Sequence, residues 1–303
     1  MVFGIVVSYF SNYLIGRGGD QSWRFMLGIQ AVPSALFFIL LQFVPESPRW
    51  LITKKGRVED AREIFALIDP ATADKIIAEI QQTETDEKAV IHADPLFSKR
   101  YRSPVMLAML FAIFNQVSGI NAIIYYSPRI FEMTGLGKSS SLLSTAGLGT
   151  INFIFTLLAM NFIDRVGRRT LMLIGSFGLI FALGMVSYSF YAVNFSGWAV
   201  PVFLFIYIAF FAFSQGAVIW VFIAEIFPNQ VRAKGQTLGS TTHWVMAALI
   251  AFSFPYLAEK AGGGNTFLFF CIMMLLQLLF VWRIMPETKG KSLEQIEHTL
   301  VLH

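Results

Sequence analysis

A chain of 303 residues that is 55% hydrophobic and only 14% charged carries roughly half the ~25% charged share of a soluble domain. The net charge of +4 is spread over polar segments without an aromatic-interleaved basic patch, which excludes nucleic acid as a partner. A single cysteine, Cys271, excludes an internal disulfide.

Eight apolar runs follow one another, near 1–16, 25–44, 105–128, 142–163, 170–193, 198–227, 236–258 and 266–285. All but the first reach the ~20 residues with which a helix crosses hydrocarbon. None alternates as barrel strands do, and only helices or closed barrels satisfy their own backbone in lipid. The expected class is an all-α polytopic membrane protein with the lipid bilayer as its solvent. The first run, "MVFGIVVSYF", lacks a basic leader and a small-residue cleavage site. It reads as a membrane helix entered part-way rather than as a signal peptide.

The second run ends in "FVPESPRW" (43–50), and a polar segment continues to about 102. Within it "RVEDAREIFALI" sets Val58, Ala61, Phe65 and Ile68 on one helical stripe, and "DKIIAEI" sets Ile76, Ile77 and Ile80 on another. These are short amphipathic helices, either a tether between membrane units or a cytoplasmic latch. The later turns include "DRVGRR" (164–169), "NQVRAKG" (229–235) and "IMPETKGK" (284–291). Eight crossings sort the polar segments into two sets, and 18 of the 23 Lys and Arg fall in the set holding these boxes. The positive-inside rule places that set, and the C-terminus, in the cytoplasm. "NFS" at 194–196 is then a chance-prone glycosylation triplet in an outer loop, and Trp198 and Trp282 fit interfacial anchors.

Pro-Glu-Ser/Thr occurs at 45–47 and again at 286–288, with six runs between. Many transporters consist of two parallel six-helix halves. If each box closes a half, about four crossings are missing before the first, clipped one.

Neutral amides inside apolar helices are costly unless partnered. They stand at Asn115, Gln116 and Asn121, with Ser118 and Gly119 between, and at Asn152. On a regular helix Gln116 and Asn121 point about 140° apart. A local unwinding at "SGIN" would turn both toward one cavity. Amides that donate and accept, beside the indoles of Trp220 and Trp244, suit a sugar; the competing reading is interhelical glue. His243 is the only ionisable side chain near the centre of a run. It is either a neutral hydrogen-bonding group or a proton-sensitive one. At the cytoplasmic face Asp164, Arg168, Glu225 and Arg232 could form an ion-pair cluster that breaks when that side opens. Lys234, Lys289 and Lys291 read as ordinary topogenic charge. No phosphate loop, metal-ligand spacing or nucleophile set appears, so no cofactor, metal or catalytic residue is expected.

Five strings in order, "PESPRW", "NQVSGINAIIYYSP", "DRVGRRTL", "WVFIAEIFPNQVRAKG" and "PETKGK", cover nearly the whole chain. With them the chain resembles the sugar porter family of the major facilitator superfamily. The resemblance implies that fold without about four N-terminal helices: 1–52 as the last two helices of one bundle, 53–102 as a cytoplasmic linker, 103–290 as a six-helix bundle and 291–303 as a tail. It implies a multi-pass protein of a plasma or bacterial inner membrane that moves a monosaccharide, a pentose or hexose, by alternating access, with protons as a candidate co-substrate. It implies a sugar site of Asn115, Gln116, Asn121, Asn152, Phe211, Gly216, Trp220, His243 and Trp244. It implies a gate in which Glu46, Arg49 and Glu287 join Asp164, Arg168, Glu225 and Arg232. Three departures stand out. Asn115-Gln116 replaces Gln-Gln, Gly216-Ala217 replaces Gly-Pro and so softens the expected helix break, and His243 replaces an amide. A non-transporting fragment and a membrane sugar receptor remain as competing readings.

Overall fold

The computed structural model describes residues 2–19, 21–70, 72–89, 95–192, 198–228 and 230–290. All regular structure among them is helical. The chain forms two compact units, residues 24–94 and residues 1–23 with 95–303. The triplet at 194–196 and Lys291 lie outside the described residues.

Along the chain, α1 (Val2–Ile15) precedes α2 (Ser22–Gly28) and α3 (Ala31–Leu41). Residues 22–41 are apolar enough to cross a membrane. In the smaller unit α4 (Pro48–Trp50) starts on a proline, whose missing N–H costs nothing at a helix start. A π-turn over Leu51–Lys55 ends at Gly56 with φ +67°. Then come α5 (Val58–Ile68) and α6 (Ala73–Ala89). Their apolar stripes meet in a small core of Leu51, Ile52, Ala61 and Ile77, with Val58, Phe65 and Ile80 against it. The Ile68 side chain lies outside the described set. Arg62 of α5 donates to Glu59 and to Asp74 of α6, fastening the pair.

The larger unit holds α1 and eight further helices: α7 (Arg102–Val117), α8 (Ile120–Met133), α9 (Lys138–Val166), α10 (Arg168–Tyr191), α11 (Ala199–Phe213), α12 (Gln215–Glu225), α13 (Arg232–Lys260) and α14 (Gly262–Arg283). Together α7 and α8 make one broken span, as do α11 and α12, so these elements form six of the seven candidate crossings among the described residues. Large apolar side chains such as Phe177, Phe181 and Phe252 face outward, as lipid permits and water does not.

Two prolines interrupt the ladders of these helices. Pro128 in α8 cannot bond the carbonyl of Ile124, and Pro255 in α13 cannot bond that of Ala251. Tyr9 of α1 donates its hydroxyl to Ile124 O at 2.8 Å, and Tyr126 of α8 donates to Ala251 O at 3.1 Å. Each freed carbonyl is thus answered by a tyrosine from a neighbouring helix, as a hydrocarbon solvent requires.

The bundle interior is layered. One apolar cluster takes Ile120 and Ile123, Leu148, Leu179, Leu204, Ile250 and Phe270, among others. A second takes Leu107, Ile163, Leu171, Ile219 and Phe280, among others. Between them, on successive helices, fall Asn115 and Gln116, Asn152, Ser176, Ser214 and Gln215, His243 and Gln277, all buried. A polar belt therefore crosses the middle of the bundle.

Candidate functional site

The expected unwinding at "SGIN" is a complete break. Gly119 has φ +86°, and a Cβ there would meet the Phe270 ring at 2.6 Å. Both constraints require glycine. The freed Ser118 carbonyl and hydroxyl accept from Tyr207 Oη at 3.0 and 3.2 Å. Tyr207 stacks on Phe211 with centroids 6.2 Å apart. A few residues later, α11 and α12 part at Ser214 (φ −119°, ψ −90°). The expectation of a softened break at Gly216-Ala217 is corrected: without a proline the helix still parts, two residues earlier. A Cβ on Gly175 would stand 1.9 Å from Ser214 Oγ, so bare glycine lets the parted backbone seat against α10.

The break brings the amides together. Asn121 Nδ2 donates to Gln116 Oε1 at 2.7 Å, and Gln116 Nε2 donates to Asn115 Oδ1 at 2.9 Å. Gln116 Nε2 also lies 3.1 and 3.2 Å from the two ring nitrogens of His243. The donor order can be read from one fixed point. The backbone carbonyl of Gln215 can only accept, so Asn115 Nδ2 donates to it, at 3.4 Å. Asn115 Oδ1 is then the acceptor for Gln116, and Gln116 presents N–H to His243. The imidazole must answer with an unprotonated nitrogen. His243 lies beside two indoles, with centroids 4.8 Å from Trp220 and 5.3 Å from Trp244.

Not every expected residue joins this network. Asn152 is buried, yet among the described residues its side chain makes no hydrogen bond; only its backbone carbonyl accepts, from Thr156. It sits on α9, which reaches α7 less closely than α13 does. Trp220 and Trp244 are not enclosed, being 44% and 51% exposed. Gly216 is half-buried, with the Phe211 ring 3.2 Å from where a Cβ would be. Sequence reading missed Tyr207, Gln215, Gln277 and Ser176. Only the two glutamines, as amides in apolar runs, had a signal that could have drawn notice.

The charged cluster surrounds the N-terminus of α10. Arg168 forks onto Glu225, with Nη2 donating to Oε1 at 2.7 Å and Nε to Oε2 at 3.2 Å. Its Nη1 pairs with Asp164 at 2.9 Å and donates to Ile163 O. Among the described residues Glu287 bonds no side chain; it caps α10. Its oxygens accept the backbone N–H groups of Arg168, Arg169, Thr288 and Lys289, each at 3.0 Å. A carboxylate at a helix N-terminus meets both orphan donors and the positive dipole end. Gly167 makes the approach possible, with φ +99° and with Glu287 Oε2 only 2.6 Å from a would-be Cβ. Thr288 Oγ1 donates to Glu225 Oε2 at 2.5 Å.

Two expectations for this cluster, those for Arg232 and Lys289, are corrected. Arg232 does not face Glu225: its Nε donates to Phe227 O at 3.4 Å, while its Nη2 is buried without a partner among the described residues. It opens α13, whereas Glu225 closes α12 and is already held by Arg168. Glu46 and Arg49 belong to the smaller unit and are exposed. Lys289 is more than topogenic charge, since its Nζ donates to Arg165 O at 2.5 Å.

A family model described as "Sugar (and other) transporter" matches residues 1–300. The chain belongs to that family. The Bacillus subtilis protein named probable metabolite transport protein CsbC is 39% identical over 99% of this chain. The D-xylose-proton symporter of Escherichia coli is 33% identical over 98%. The inward open structure of the xylose transporter XylE from E. coli superposes with a TM-score of 0.84 at 32% identity over 99% of this chain. The fold is thus that of the major facilitator superfamily, to which the solved proton:xylose symporter belongs. The chain spans 65% of the length of the first of these relatives, 62% of the second and 63% of the solved chain.

Proposed function

We propose that this chain forms the substrate-holding part of a monosaccharide carrier that works by alternating access. The observation that carries the reading is the Gln116 network. One amide links Asn115, Asn121 and His243 at a helix break, next to two half-exposed indoles. Asn121 is itself only part-buried and keeps hydrogen-bonding capacity that a sugar hydroxyl can use. Trp220 and Trp244 offer rings on which the C–H face of a pyranose rests. Phe211 and Gly216 line the adjoining α11–α12 break, and Asn152 supplies an amide across the bundle. The relatives named for xylose support a pentose or hexose as the substrate.

The Arg168–Glu225–Glu287 cluster serves as the lock on one side, and the excess of basic residues in the loops of that side supports its being the cytoplasmic one. Asp164 and Thr288 complete it. Opening that side must give up the Arg168 fork, so the cluster biases a two-state equilibrium. The carrier resides in a cell membrane with its C-terminus inside, and proton coupling is tested with transport. The experiment is uptake and counterflow of radiolabelled D-xylose and D-glucose by the full-length protein in vesicles, with and without a proton gradient. Saturable uptake that Gln116→Leu weakens through KM supports the reading. Binding without counterflow would replace it with a receptor, and neither binding nor uptake of any pentose or hexose would end it.

A further inference from the structure

The polar belt also holds two amides, on α12 and α14, in an unusual state. Gln215 and Gln277 are 0% and 1% exposed, and the Oε1 atom of each is buried without a protein donor. Reversing the amides does not cure this. Gln277 Nε2 donates to Ser176 Oγ at 3.0 Å, and that hydroxyl has spent its hydrogen on Met172 O. A reversed Gln277 would set its oxygen against another acceptor. Gln215 Nε2 points at Met274 Sδ at 3.3 Å, and reversal would oppose oxygen to sulfur. The last nearby hydroxyl, Ser214 Oγ, donates to Phe210 O within its own helix. Among the described residues no donor therefore reaches either oxygen.

Leaving both oxygens bare in a bundle interior forfeits the hydrogen bonds that they make to water in the unfolded chain. A metal ion would find no cluster of three or more acidic, histidine or cysteine side chains among the described residues. A neutral molecule that donates and is small enough to be enclosed satisfies the chemistry. We propose that water is a built-in component of this site, enclosed between α10, the α11–α12 break and α14, donating to Gln215 Oε1 and Gln277 Oε1. The inference does not depend on a sugar as cargo. Its consequence lies at the Ser214 break: water, rather than a fixed donor, meets the side-chain oxygen of the first residue of α12, which lets that half-helix shift without stranding that oxygen.

Met274 provides the readout, because it is 0% exposed and touches Gln215. In millisecond X-ray radiolytic footprinting of the full-length protein in nanodiscs, radicals formed from an enclosed water would oxidise Met274 to the sulfoxide. Met285, equally buried at 2% but set in an apolar cluster, is the internal control. The expected rate at Met274 is about tenfold that at Met285. In the variant Gln215→Leu with Gln277→Leu, Met274 should fall to the control rate with the melting temperature held or raised. Equal rates at Met274 and Met285 in the wild type overturn the proposal, as does labelling that persists in the double variant. Should that variant not fold, a wild-type map at about 2 Å or better decides: density about 2.7–3.2 Å from both Oε1 atoms supports the proposal, and its absence overturns it.

Discussion

The amide cluster around Gln116 and the charged cluster around Arg168 are both polar networks that join several helices, but they are finished differently. In the charged cluster acceptors are saturated: Glu287 takes four backbone N–H groups, and Glu225 takes two guanidinium bonds and a hydroxyl. In the amide cluster Asn121 is part-buried and has a hydrogen to spare, Asn152 makes no side-chain bond among the described residues, and the indoles stand half-exposed. Saturation suits a lock, whose task is to be stable until it opens. Incomplete pairing suits a receptor surface, whose missing partners arrive with the ligand. Substitutions in the two clusters should therefore separate stability from affinity.

The largest effect is expected at the lock. Arg168→Ala leaves Glu225 with only the Thr288 hydroxyl and costs about 2–3 kcal/mol, less than for a fully buried pair because Glu225 is 25% exposed. Thermal unfolding should show this loss, and uptake should fall more than about tenfold. Arg168→Lys should rescue little, because an ammonium cannot fork onto both carboxylate oxygens. A Lys variant with normal uptake would reduce the lock to a general charge effect.

Next comes the hinge of the amide cluster. Gly119→Ala must adopt φ +86° and push the Phe270 ring, at about 2–3 kcal/mol. Gly135 has nearly the same φ, +87°, but nothing within 4 Å of its missing Cβ. Gly135→Ala should cost only about 1 kcal/mol. Matched melting curves isolate the packing part of the hinge, and equal losses would mean that the ring contact is immaterial.

Third, Gln116→Leu should raise the sugar KM about tenfold or more at a stability cost of about 1 kcal/mol: Asn115 Oδ1 and the His243 ring lose a donor, while Asn115 keeps its bond to Gln215 O and Asn121 is only part-buried. A variant that loses stability in place of affinity would assign the amides to interhelical glue.

This contrast explains what was legible from the residues alone. The spans, the amides and the break at Gly119 announce themselves, because an amide or a glycine in a run of Phe, Ile and Leu has few other uses. The partnering of the charges does not. Glu287 looks like one half of an ion pair, yet it binds backbone N–H groups, and every residue supplies those alike. Arg232 looks like the mate of Glu225 because both flank Pro228, but Arg168 reaches across from α10 and fills both carboxylate oxygens. Gln215 and Gln277 lie 62 residues apart, and no local pattern predicts that they share one interior. Tyr9 and Tyr126 likewise earn their roles from prolines on other helices.

Tyr126→Phe tests that last device with a smaller effect. Removing the hydroxyl strands Ala251 O, which Pro255 has already released, at about 1 kcal/mol. Thermal unfolding of Tyr126→Phe, compared with Tyr126→Phe in a Pro255→Ala background, should show the cost vanish in the second case, where the helix supplies its own donor.

The smallest change is expected at His243, although it is the one ionisable group in the belt. Asn115 donates to a backbone carbonyl, so Gln116 must offer N–H to the imidazole, and an imidazolium would return donor against donor. The ring therefore works as a neutral acceptor, a task that a glutamine oxygen also performs. In His243→Gln, uptake between about pH 5.5 and 7.5 should keep its profile, with KM changed by no more than about threefold. A flattened profile would show that protonation of this ring drives the Gln116 network apart. It would make the amide cluster, like the charged one, a part that switches rather than a surface that waits.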